Sequence, residues 1–443
     1  MLSFIQNKHI KFKKNKLGFD DLCAFYTGNS DNLIGLEYER LSLDKSSLEN
    51  ASYEKLEKIV LSFCEKSSWQ PIYDSNILIG ANCTNGSSIS LEPGCQLEIS
   101  LSPKKELVEI ESELFKIISE LDKIAALEDV IFLGYGISPK SNVDDIKLLN
   151  KRRYKIMNNY LPSCSHAELI PKMMRQSAGI QVNIDYKDNA DACNKLKFFN
   201  LIMPFLSALT SNSPFENGSL SDKKSVRGYV WQYCGKQRCN LFYKSIFKKF
   251  FAKKNVIKNY ISCVNDIPML FIERDNEIIE INGNITFKEF LKNGFLGHQA
   301  TLQDYILHQS LCFPDVRLKN YIEIRNHDSS TPQIALALCA LYKGLCSCDI
   351  QTLLNDFKYL KVDEVENNYK KATKFGLDFL LNNNMKAWDV VRQIINCAKS
   401  KLSLSEIKYL EPILDMLSGK KTQADLLIDS KIKNASSLVE VCC

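Results

Sequence analysis

Four short segments of this 443-residue sequence alternate between polar and apolar residues, and this alternation restricts the fold more than any other feature. The segments are 35–39 (GLEYE), 96–99 (QLEI), 181–185 (QVNID) and 323–325 (EIR). Successive side chains of a β-strand point to opposite faces of the sheet, so each segment predicts a strand with one apolar and one polar face. The polar face would carry Glu37, Glu39, Glu98, Gln181, Asn183, Glu323 and Arg325. We expect helices to cover the apolar face.

The rest of the sequence adds strand and helix signals in an irregular order. Strand-like segments are 33–41, 77–83, 96–101, 130–135, 179–186, 268–274 and 319–325. Helical periodicity covers 53–65, 106–126 and 190–210, and it dominates from about residue 331 onward. Strands interspersed irregularly with helices predict an α+β fold built on one mainly antiparallel sheet.

Composition and charge narrow the class of protein. Hydrophobic residues make up 45% and charged residues 25% of the chain, and the formal net charge of +5 is too small to indicate a nucleic-acid-binding face. No apolar run approaches the roughly 20 residues that span a bilayer. The 16 cysteines fit free thiols in a reducing compartment, and their spacing argues against zinc. We therefore expect a cytoplasmic protein that binds neither nucleic acid nor membranes.

The acids on the predicted polar face allow two interpretations, which the pattern alone weights about equally. An antiparallel sheet often leaves one face in water. Alternatively, the face is a functional groove, because clustered carboxylates repel one another unless a cation lies among them, and oxygen ligands suit Mg²⁺ or Mn²⁺. Magnesium would indicate a nucleotide substrate. The sequence contains neither a GxxxxGK[ST] loop nor a GxGxxG motif, so ATP would be held by metal and by basic side chains.

Seven motifs, in a fixed order over about residues 31–328, resemble those of the glutamate–cysteine ligases of plant and proteobacterial type. Residues 34–39 resemble the GxExE strand, 91–100 (LEPGCQLEIS) the LEPGxQxELS signature, 181–185 the VQVNxD strand, and 211–215 (SNSPF) the ANSPF loop. Segment 225–238 resembles SxR…W……R, 268–274 resembles PMxFxxR, and 313–325 resembles FPxVRxKxYxExR.

The resemblance implies a glutamine-synthetase-like fold, in which an antiparallel sheet curves into a funnel with helices outside. Together with the change to helical periodicity at about residue 331, it predicts a catalytic domain over residues 1–330 and a mainly helical C-terminal region over 331–443 packed on it. It also implies a reaction, the first step of glutathione biosynthesis. ATP phosphorylates the γ-carboxylate of glutamate, and the amino group of cysteine then displaces phosphate to give γ-glutamylcysteine.

The resemblance, together with residue type, also implies roles for individual residues. Mg²⁺, or Mn²⁺, would be held by Glu37, Glu39, Glu98 and Glu323. Gln181 and Asn183 would complete that shell or position a phosphate. The glutamate α-carboxylate and the transferring phosphoryl group would be bound by Arg227, Arg238 and Arg325, with Trp231 beside them. The candidate catalytic residues are Glu37, Glu39, Arg227 and Arg325. For each arginine, a structural ion pair is the alternative.

Four departures from the family pattern leave the amine acceptor open. Cys95 replaces a usual glycine, Gln176 a usual arginine and Gly235 a usual acid, and the segment 162–171 lacks expected glycines. The cysteine ligase has two alternatives. One is an enzyme that accepts another amine, and the other is a relative that binds its ligands without turnover. The four intact acids argue against the second of these. The sequence is compatible with a monomer or a homodimer.

Overall fold

The computed structural model describes residues 17–160, 166–235, 238–239, 256–275 and 277–430. Its strands are β1 (Ile34–Asp44), β2 (Gln70–Asp74), β3 (Ile77–Asn82), β4 (Ser88–Leu91), β5 (Leu97–Ser100), β6 (Val130–Leu133), β7 (Gly179–Ile184), β8 (Phe215–Glu216), β9 (Ser219–Leu220), β10 (Phe271–Arg274), β11 (Glu277–Glu280), β12 (Val316–Leu318) and β13 (Ile322–Asp328).

Helices fill the connections between strands and most of the C-terminal part of the chain. They are α1 (Phe19–Phe25), α2 (Tyr53–Ser67), α3 (Leu107–Leu127), α4 (Arg152–Tyr160), α5 (Ile170–Arg175), α6 (Asn189–Leu209), α7 (Val226–Tyr233), α8 (Val256–Asn265), α9 (Phe287–Asn293), α10 (Leu302–Ser310), α11 (Pro332–Cys346), α12 (Ile350–Asp356), α13 (Val365–Phe375), α14 (Ala387–Lys399), α15 (Leu404–Ile407), α16 (Glu411–Gly419) and α17 (Gln423–Asp429).

One nine-stranded sheet organises the molecule. Its order is β12-β13-β7-β1-β5-β4-β3-β2, with β6 paired to the far part of β1, and every pairing in it is antiparallel. The prediction of an α+β fold with a mainly antiparallel sheet is therefore confirmed. The segment predicted as a strand over 268–274 contains β10, which pairs with β11 in a two-stranded hairpin separate from the large sheet. Strands β2, β4 and β12 were not among the predicted segments.

The apolar face of the sheet carries the hydrophobic core. Leu36, Val182 and Ile324 lie opposite one another on β1, β7 and β13, and all three are fully buried. Helix α11 packs against β1 and β7, and α6 packs against β12 and β13. The alternation read from the sequence thus correctly assigns one face of the sheet to the core, since burying such side chains is the main driving force of folding.

Within the described residues, every element from Pro332 to Asp429 is helical. The first of these helices, α11, lies directly on the sheet, and α13 packs against α6. The helical character of this region therefore agrees with the sequence pattern. The division of the chain at residues 330 and 331 stays a prediction, because α11 shares the core of the preceding part.

No single helix in the described ranges has the length and apolar character needed to cross a membrane. The bent pair formed by α11 and α12, with a 96° angle between its members, passes that test by length and composition only.

Candidate active site

The register of four adjacent strands brings the polar residues of the sheet together. Glu39 on β1 lies opposite Glu98 on β5, and Glu37 lies opposite Gln181 on β7. Asn183 on β7 lies in turn opposite Glu323 on β13. Glu37, Glu98 and Glu323 are 5%, 6% and 0% exposed, so this face is not a solvated surface. Of the two interpretations of the pattern, the structure therefore favours the functional groove.

One end of this face is an acidic cluster, which we call the open acid cluster: Glu37, Glu39, Glu92 and Glu98. Burial raises the pKa of Glu39 to about 7; Arg227 and Arg325 oppose that rise, while Glu92 adds to it. Burial also raises the pKa of Glu98 well above its ordinary value, and Glu37, Glu92 and Glu39 push it in the same direction. Carboxylates that disfavour one another's charge in this way are stabilised by a cation among them.

Hydrogen bonds hold the acids in place but leave oxygen atoms available. Gln181 Nε2 donates to Glu39 Oε1 at 3.0 Å, and Asn183 Nδ2 donates to Glu37 Oε1 at 3.0 Å. Ser100 Oγ donates to Glu98 Oε1 at 2.9 Å. Glu37 Oε2 and Asn183 Oδ1 are buried and have no hydrogen-bond partner among the described residues. Unpaired buried oxygens beside crowded carboxylates match the ligands that Mg²⁺ prefers.

The described part of the chain contains no group of three or more His, Cys, Asp or Glu side chains already arranged to hold a metal ion. The acids are therefore near one another without forming a finished coordination sphere. Mg²⁺ usually keeps several waters and shares its remaining positions between one or two carboxylates and substrate phosphates, so a complete protein cage is not required.

Glu323 differs from the other predicted metal ligands because cations of the protein already surround it. Arg317 contacts both of its carboxylate oxygens, through Nε and, at 2.8 Å, through Nη2. Arg325 Nη1 lies 2.9 Å and Lys319 Nζ 3.3 Å from Glu323 Oε1. These charges, led by Arg317, hold the pKa of Glu323 well below its usual range despite its burial. Glu323 therefore lies in an ion-pair network, and its assignment to the metal stays a prediction.

Arg227 and Trp231 lie on one turn of α7 beside this face. The Arg227 guanidinium lies 5.6 Å from the centre of the Trp231 ring, and its Nη2 donates to the Arg325 carbonyl at 3.1 Å. Its Nε is buried without a hydrogen-bond partner in the described ranges. A Cβ at Gly179 would come within 2.3 Å of Arg227 Nη2, so glycine there allows the close approach. Arg227 is thus placed to take an anionic ligand beside Glu39.

Arg325 joins the two ends of the polar face. Its Nη1 donates to Gln181 Oε1 and also contacts Glu323. Gln181 in turn donates to Glu39. The structure therefore brings Glu37, Glu39, Glu98, Gln181, Asn183, Arg227, Arg325 and Trp231 into one site.

Arg238 has a different position. Its guanidinium donates to the carbonyls of Leu311, at 3.2 Å, and Pro268, and it lies 5.5 Å from the Tyr160 ring centre. None of its described hydrogen bonds reaches another predicted site residue. Through these contacts Arg238 ties three chain segments together, an arrangement that differs from the structural ion pair raised as the alternative for each arginine. A substrate-binding role for it stays a prediction.

The sequence argument omitted residues that the structure adds to the site. Arg317 and Lys319 neutralise Glu323, and Glu92 belongs to the open acid cluster. Burial lowers the pKa of Lys151, and Glu92 lies among the carboxylates that oppose this effect. All but Lys151 lie inside segments quoted for the family resemblance, 91–100 and 313–325. The family motifs therefore contained these three residues. A single sequence, however, does not show which charged side chains lie next to one another in the fold.

Two departures from the family pattern have clear structural settings. Cys95 adopts a φ of +64°, a left-handed conformation that glycine takes without strain. Its thiol is buried, and the charged neighbour that adds to the rise in its pKa is Glu54 of α2 rather than an acid of the open cluster. Gln176 is buried and donates to the Ser141 carbonyl at 2.7 Å.

Comparisons with known proteins agree with this geometry. A family model described as glutamate-cysteine ligase family 2 (GCS2) matches residues 33–439. The chain is 28% identical over 404 residues to a chloroplastic glutamate–cysteine ligase of Medicago truncatula, covering 89% of this chain and 78% of that protein. It is 30% identical over 327 residues to the chloroplastic enzyme of Arabidopsis thaliana, covering 73% of this chain and 61% of the relative.

A solved structure has the same fold. It is the crystal structure of a glutamate–cysteine ligase from Francisella tularensis in complex with AMP. The TM-score is 0.57 at 13% identity, with 94% of this chain and 89% of the other covered.

Proposed function

Because this chain belongs to glutamate-cysteine ligase family 2, we propose that it joins the γ-carboxyl group of glutamate to the amino group of cysteine at the expense of ATP. The product is γ-glutamylcysteine, formed through γ-glutamyl phosphate, and the reaction is the first step of glutathione biosynthesis. The observation that carries this proposal is the open acid cluster, placed beside the unpaired guanidinium nitrogen of Arg227 on a buried sheet face.

The chain's own residues promote the reaction mainly by aligning the substrates and by neutralising their negative charge. A carboxylate is a poor acyl donor, so transfer of a phosphoryl group from ATP to the γ-oxygen of glutamate provides a leaving group. The cysteine amine then attacks the acyl carbon, and phosphate leaves with the electrons of the C–O bond. Arg227, which donates to the Arg325 carbonyl, and Arg325, which donates to Gln181 on the neighbouring strand, bind the anionic groups on which negative charge develops.

Magnesium fits the donor set of this site. Glu37, Glu39 and Glu98, with the free oxygen of Asn183, would hold it, and Glu323, which is already paired with Arg317 and Arg325, is the predicted ligand that these contacts support least. When bound, the ion supplies positive charge that neutralises the triphosphate and the developing phosphoryl group. Mn²⁺ has the same oxygen preference and is the natural probe.

Phosphate release from ATP tests the proposal directly. The assay contains protein, Mg²⁺ and glutamate, with and without cysteine, and the product is identified by mass spectrometry. We expect cysteine-dependent release and γ-glutamylcysteine, both abolished by Glu37→Gln. The matched control is Glu109→Gln, an exposed acid on α3, which should behave as native protein.

Other amines in the same assay define the acceptor. Release that requires glutamate but occurs equally with several amines would retain the ligase chemistry and replace cysteine as the acceptor. Phosphate release that does not depend on glutamate would contradict the proposed function. No phosphate release under any combination would also contradict it and would favour a relative that only binds.

We also propose a cytoplasmic location, supported by the many cysteines, each of which is a free thiol in the described ranges. The plant relatives are named chloroplastic, and a chloroplast is the alternative. Fractionation of cells that express the full-length chain with a C-terminal tag tests this: recovery in an organelle fraction would overturn it.

A further inference from the structure

Three consecutive basic residues, Lys151, Arg152 and Arg153, stand where helix α4 begins. The middle residue is an anchor, because Arg152 donates to the Asp74 carboxylate through its backbone amide and through its Nε, both at 3.1 Å. Asp74 is the last residue of β2, an edge strand of the large sheet. These two bonds fix the start of α4 to that edge and therefore fix the backbone positions of the two flanking cations.

The Lys151 ammonium lies beside the open acid cluster and has no ion-pair partner in the part of the chain that the structure describes. Its Nζ is 4.9 Å from the centre of the Tyr154 ring, and the Tyr154 hydroxyl donates to Glu92 Oε2 at 3.3 Å. The Leu149 amide donates to the Pro93 carbonyl at 2.8 Å, which ties the loop before α4 to the turn after Glu92. An aromatic face attracts a cation without neutralising it, so the N–H donors of Lys151 are left for a ligand.

Arg153 adds a second cation at the same place. Its Nε is buried and has no hydrogen-bond partner among the described residues. Burial lowers the pKa of Lys151, and the charge of Arg153 lowers it further, so the two cations lie close together. A buried guanidinium nitrogen without a partner costs free energy, and two neighbouring positive charges repel each other. A bound anion would relieve both of these costs.

The order of the strands places this pair of cations on one side of the open acid cluster and Arg325 on the other. Adjacent strands of the sheet follow one another as β13, β7, β1, β5 and β4. Arg325 lies on β13, Glu39 on β1 and Glu98 on β5, and Glu92 directly follows β4. Glu92 and Glu98 are among the carboxylates that oppose the lowering of the Lys151 pKa by burial. The acids therefore lie between two separate groups of cations.

A nucleoside triphosphate with its divalent cation matches this arrangement. Glu323 and Arg317 show what direct neutralisation looks like in this fold, because they form a bidentate pair. Lys151 and the acids beside it do not form such a pair in the described ranges. Mg²⁺ is usually shared between carboxylates and substrate phosphates, so phosphates at this cluster would come within reach of the two cations. Lysine binds phosphate as a point charge and arginine as a planar fork.

We propose that Lys151 and Arg153 bind the triphosphate of ATP on one side of the open acid cluster. Arg227 and Arg325, on the other side, are left for glutamate. The inference rests on the proposed function and deepens it. In phosphoryl transfer, a γ-carboxylate oxygen of glutamate forms a bond to the γ-phosphorus, and the bond from that phosphorus to the β,γ-bridging oxygen breaks. The electron pair of the broken bond leaves with ADP, and the two cations neutralise the charge that develops there.

Calorimetric binding of AMP-PNP, a non-hydrolysable ATP analogue, in the presence of Mg²⁺ tests the proposal on the full-length protein. Lys151→Met removes the charge but retains a side chain that covers the Tyr154 ring. We expect this variant, and Arg153→Gln, to bind AMP-PNP about tenfold to a hundredfold more weakly, as for the loss of one hydrogen bond between charged groups. Lys151→Arg, which retains the charge, should recover part of the affinity. The control Lys147→Met changes an exposed lysine in the preceding loop and should bind as native protein does.

Mn²⁺ binding without nucleotide separates phosphate binding from a structural role. Removal of a positive charge beside the acids should leave Mn²⁺ bound by Lys151→Met as tightly as by native protein, or more tightly. A distorted site would instead bind the metal and the nucleotide more weakly. Weaker Mn²⁺ binding by Lys151→Met, or undiminished AMP-PNP binding by both Lys151→Met and Arg153→Gln, would overturn the proposal.

Steady-state turnover distinguishes the ligand that the two cations bind. In Lys151→Met, the KM for ATP should rise by about tenfold to a hundredfold, and the KM values for glutamate and cysteine should stay close to native. A rise confined to the KM for cysteine would assign the cations to the acceptor carboxylate and overturn the proposal. Native protein that binds AMP-PNP through Lys151 but forms no γ-glutamylcysteine would count against the proposed function alone. Ligase activity with nucleotide binding that does not depend on Lys151 would count against this inference alone.

Discussion

The two ends of the polar sheet face contain the same kind of residue in opposite electrostatic states. At one end, the open acid cluster crowds carboxylates whose burial and mutual repulsion raise the pKa values of Glu39 and Glu98. At the other end, Glu323 is equally buried, yet Arg317, Lys319 and Arg325 lower its pKa. The fold supplies counter-charges to one end, and we propose that a bound cation completes the other end. A buried carboxylate is therefore not by itself a metal ligand; its neighbours determine its role.

Removal of the charge at the neutralised end should have the largest effect on folding. Glu323→Gln leaves the buried Arg317 guanidinium without its bidentate partner, and breaking one half of a buried pair costs about 3–5 kcal/mol. Urea denaturation measures the loss in free energy of unfolding. The control Glu113→Gln, which breaks a partly exposed pair with Lys104, should lose about 1 kcal/mol or less. Equal losses of unfolding free energy in Glu323→Gln and Glu113→Gln would mean that the buried network stabilises the fold no more than an ordinary ion pair does.

Removal of the charge at the open end should affect activity rather than folding. Glu39→Gln is expected to reduce phosphate release on the order of 10²–10³-fold, because it removes a group that neutralises the phosphoryl transfer. Its free energy of unfolding, without metal, should match or exceed that of native protein, since one repelling charge is gone. A variant that unfolds as readily as Glu323→Gln would show that the two ends are alike.

The pH dependence of stability should separate the open end from the neutralised one. The folded-state pKa of Glu39, about 7, lies above its ordinary value, so the folded protein retains a proton that the unfolded chain has already lost. Stability of the metal-free protein should therefore fall as the pH rises through 7, by about 2 kcal/mol for this group.

Urea titrations at pH 5.5 and 8 measure this fall in native protein and in Glu39→Gln, in which it should be smaller. Added Mg²⁺ should restore stability more at pH 8 than at pH 5.5. A fall that is equal in both proteins would assign the effect to other groups.

The smallest expected effect comes from Lys319→Met. Lys319 lies 3.3 Å from Glu323, but burial lowers its pKa, and Arg317 and Arg325 remain to neutralise the carboxylate. We expect a loss of about 1 kcal/mol in unfolding free energy. A loss as large as that of Glu323→Gln, measured by the same urea titration, would mean that the network depends on all three cations together.

The sequence was sufficient to predict most of the residues that line the polar sheet face. The period-two alternation identified which face of β1, β5, β7 and β13 is polar, and the structure places Glu37, Glu39, Glu98, Gln181 and Asn183 together as expected. Alternation is a local property that each strand carries by itself. It therefore predicts faces without any knowledge of strand order.

What the sequence did not reveal depends on pairing between distant segments. The register of β12 against β13 places Arg317 opposite Glu323, so a predicted metal ligand also has an ion-pair partner that the sequence analysis did not anticipate. The position of Arg238, on the carbonyls of Leu311 and Pro268, likewise depends on packing among distant chain segments. Neither follows from periodicity or from a motif, because both are set by tertiary contacts.

Mn²⁺ binding followed by electron paramagnetic resonance tests the central claim most directly, namely that the open end of the sheet face is completed by a divalent cation. Metal-free protein at pH 8 is titrated with Mn²⁺ in its native form, as Glu39→Gln and as Lys319→Met. We predict that native protein and Lys319→Met bind the ion alike, whereas Glu39→Gln binds it at least about tenfold more weakly. Undiminished binding by Glu39→Gln would contradict the account and place the cation elsewhere.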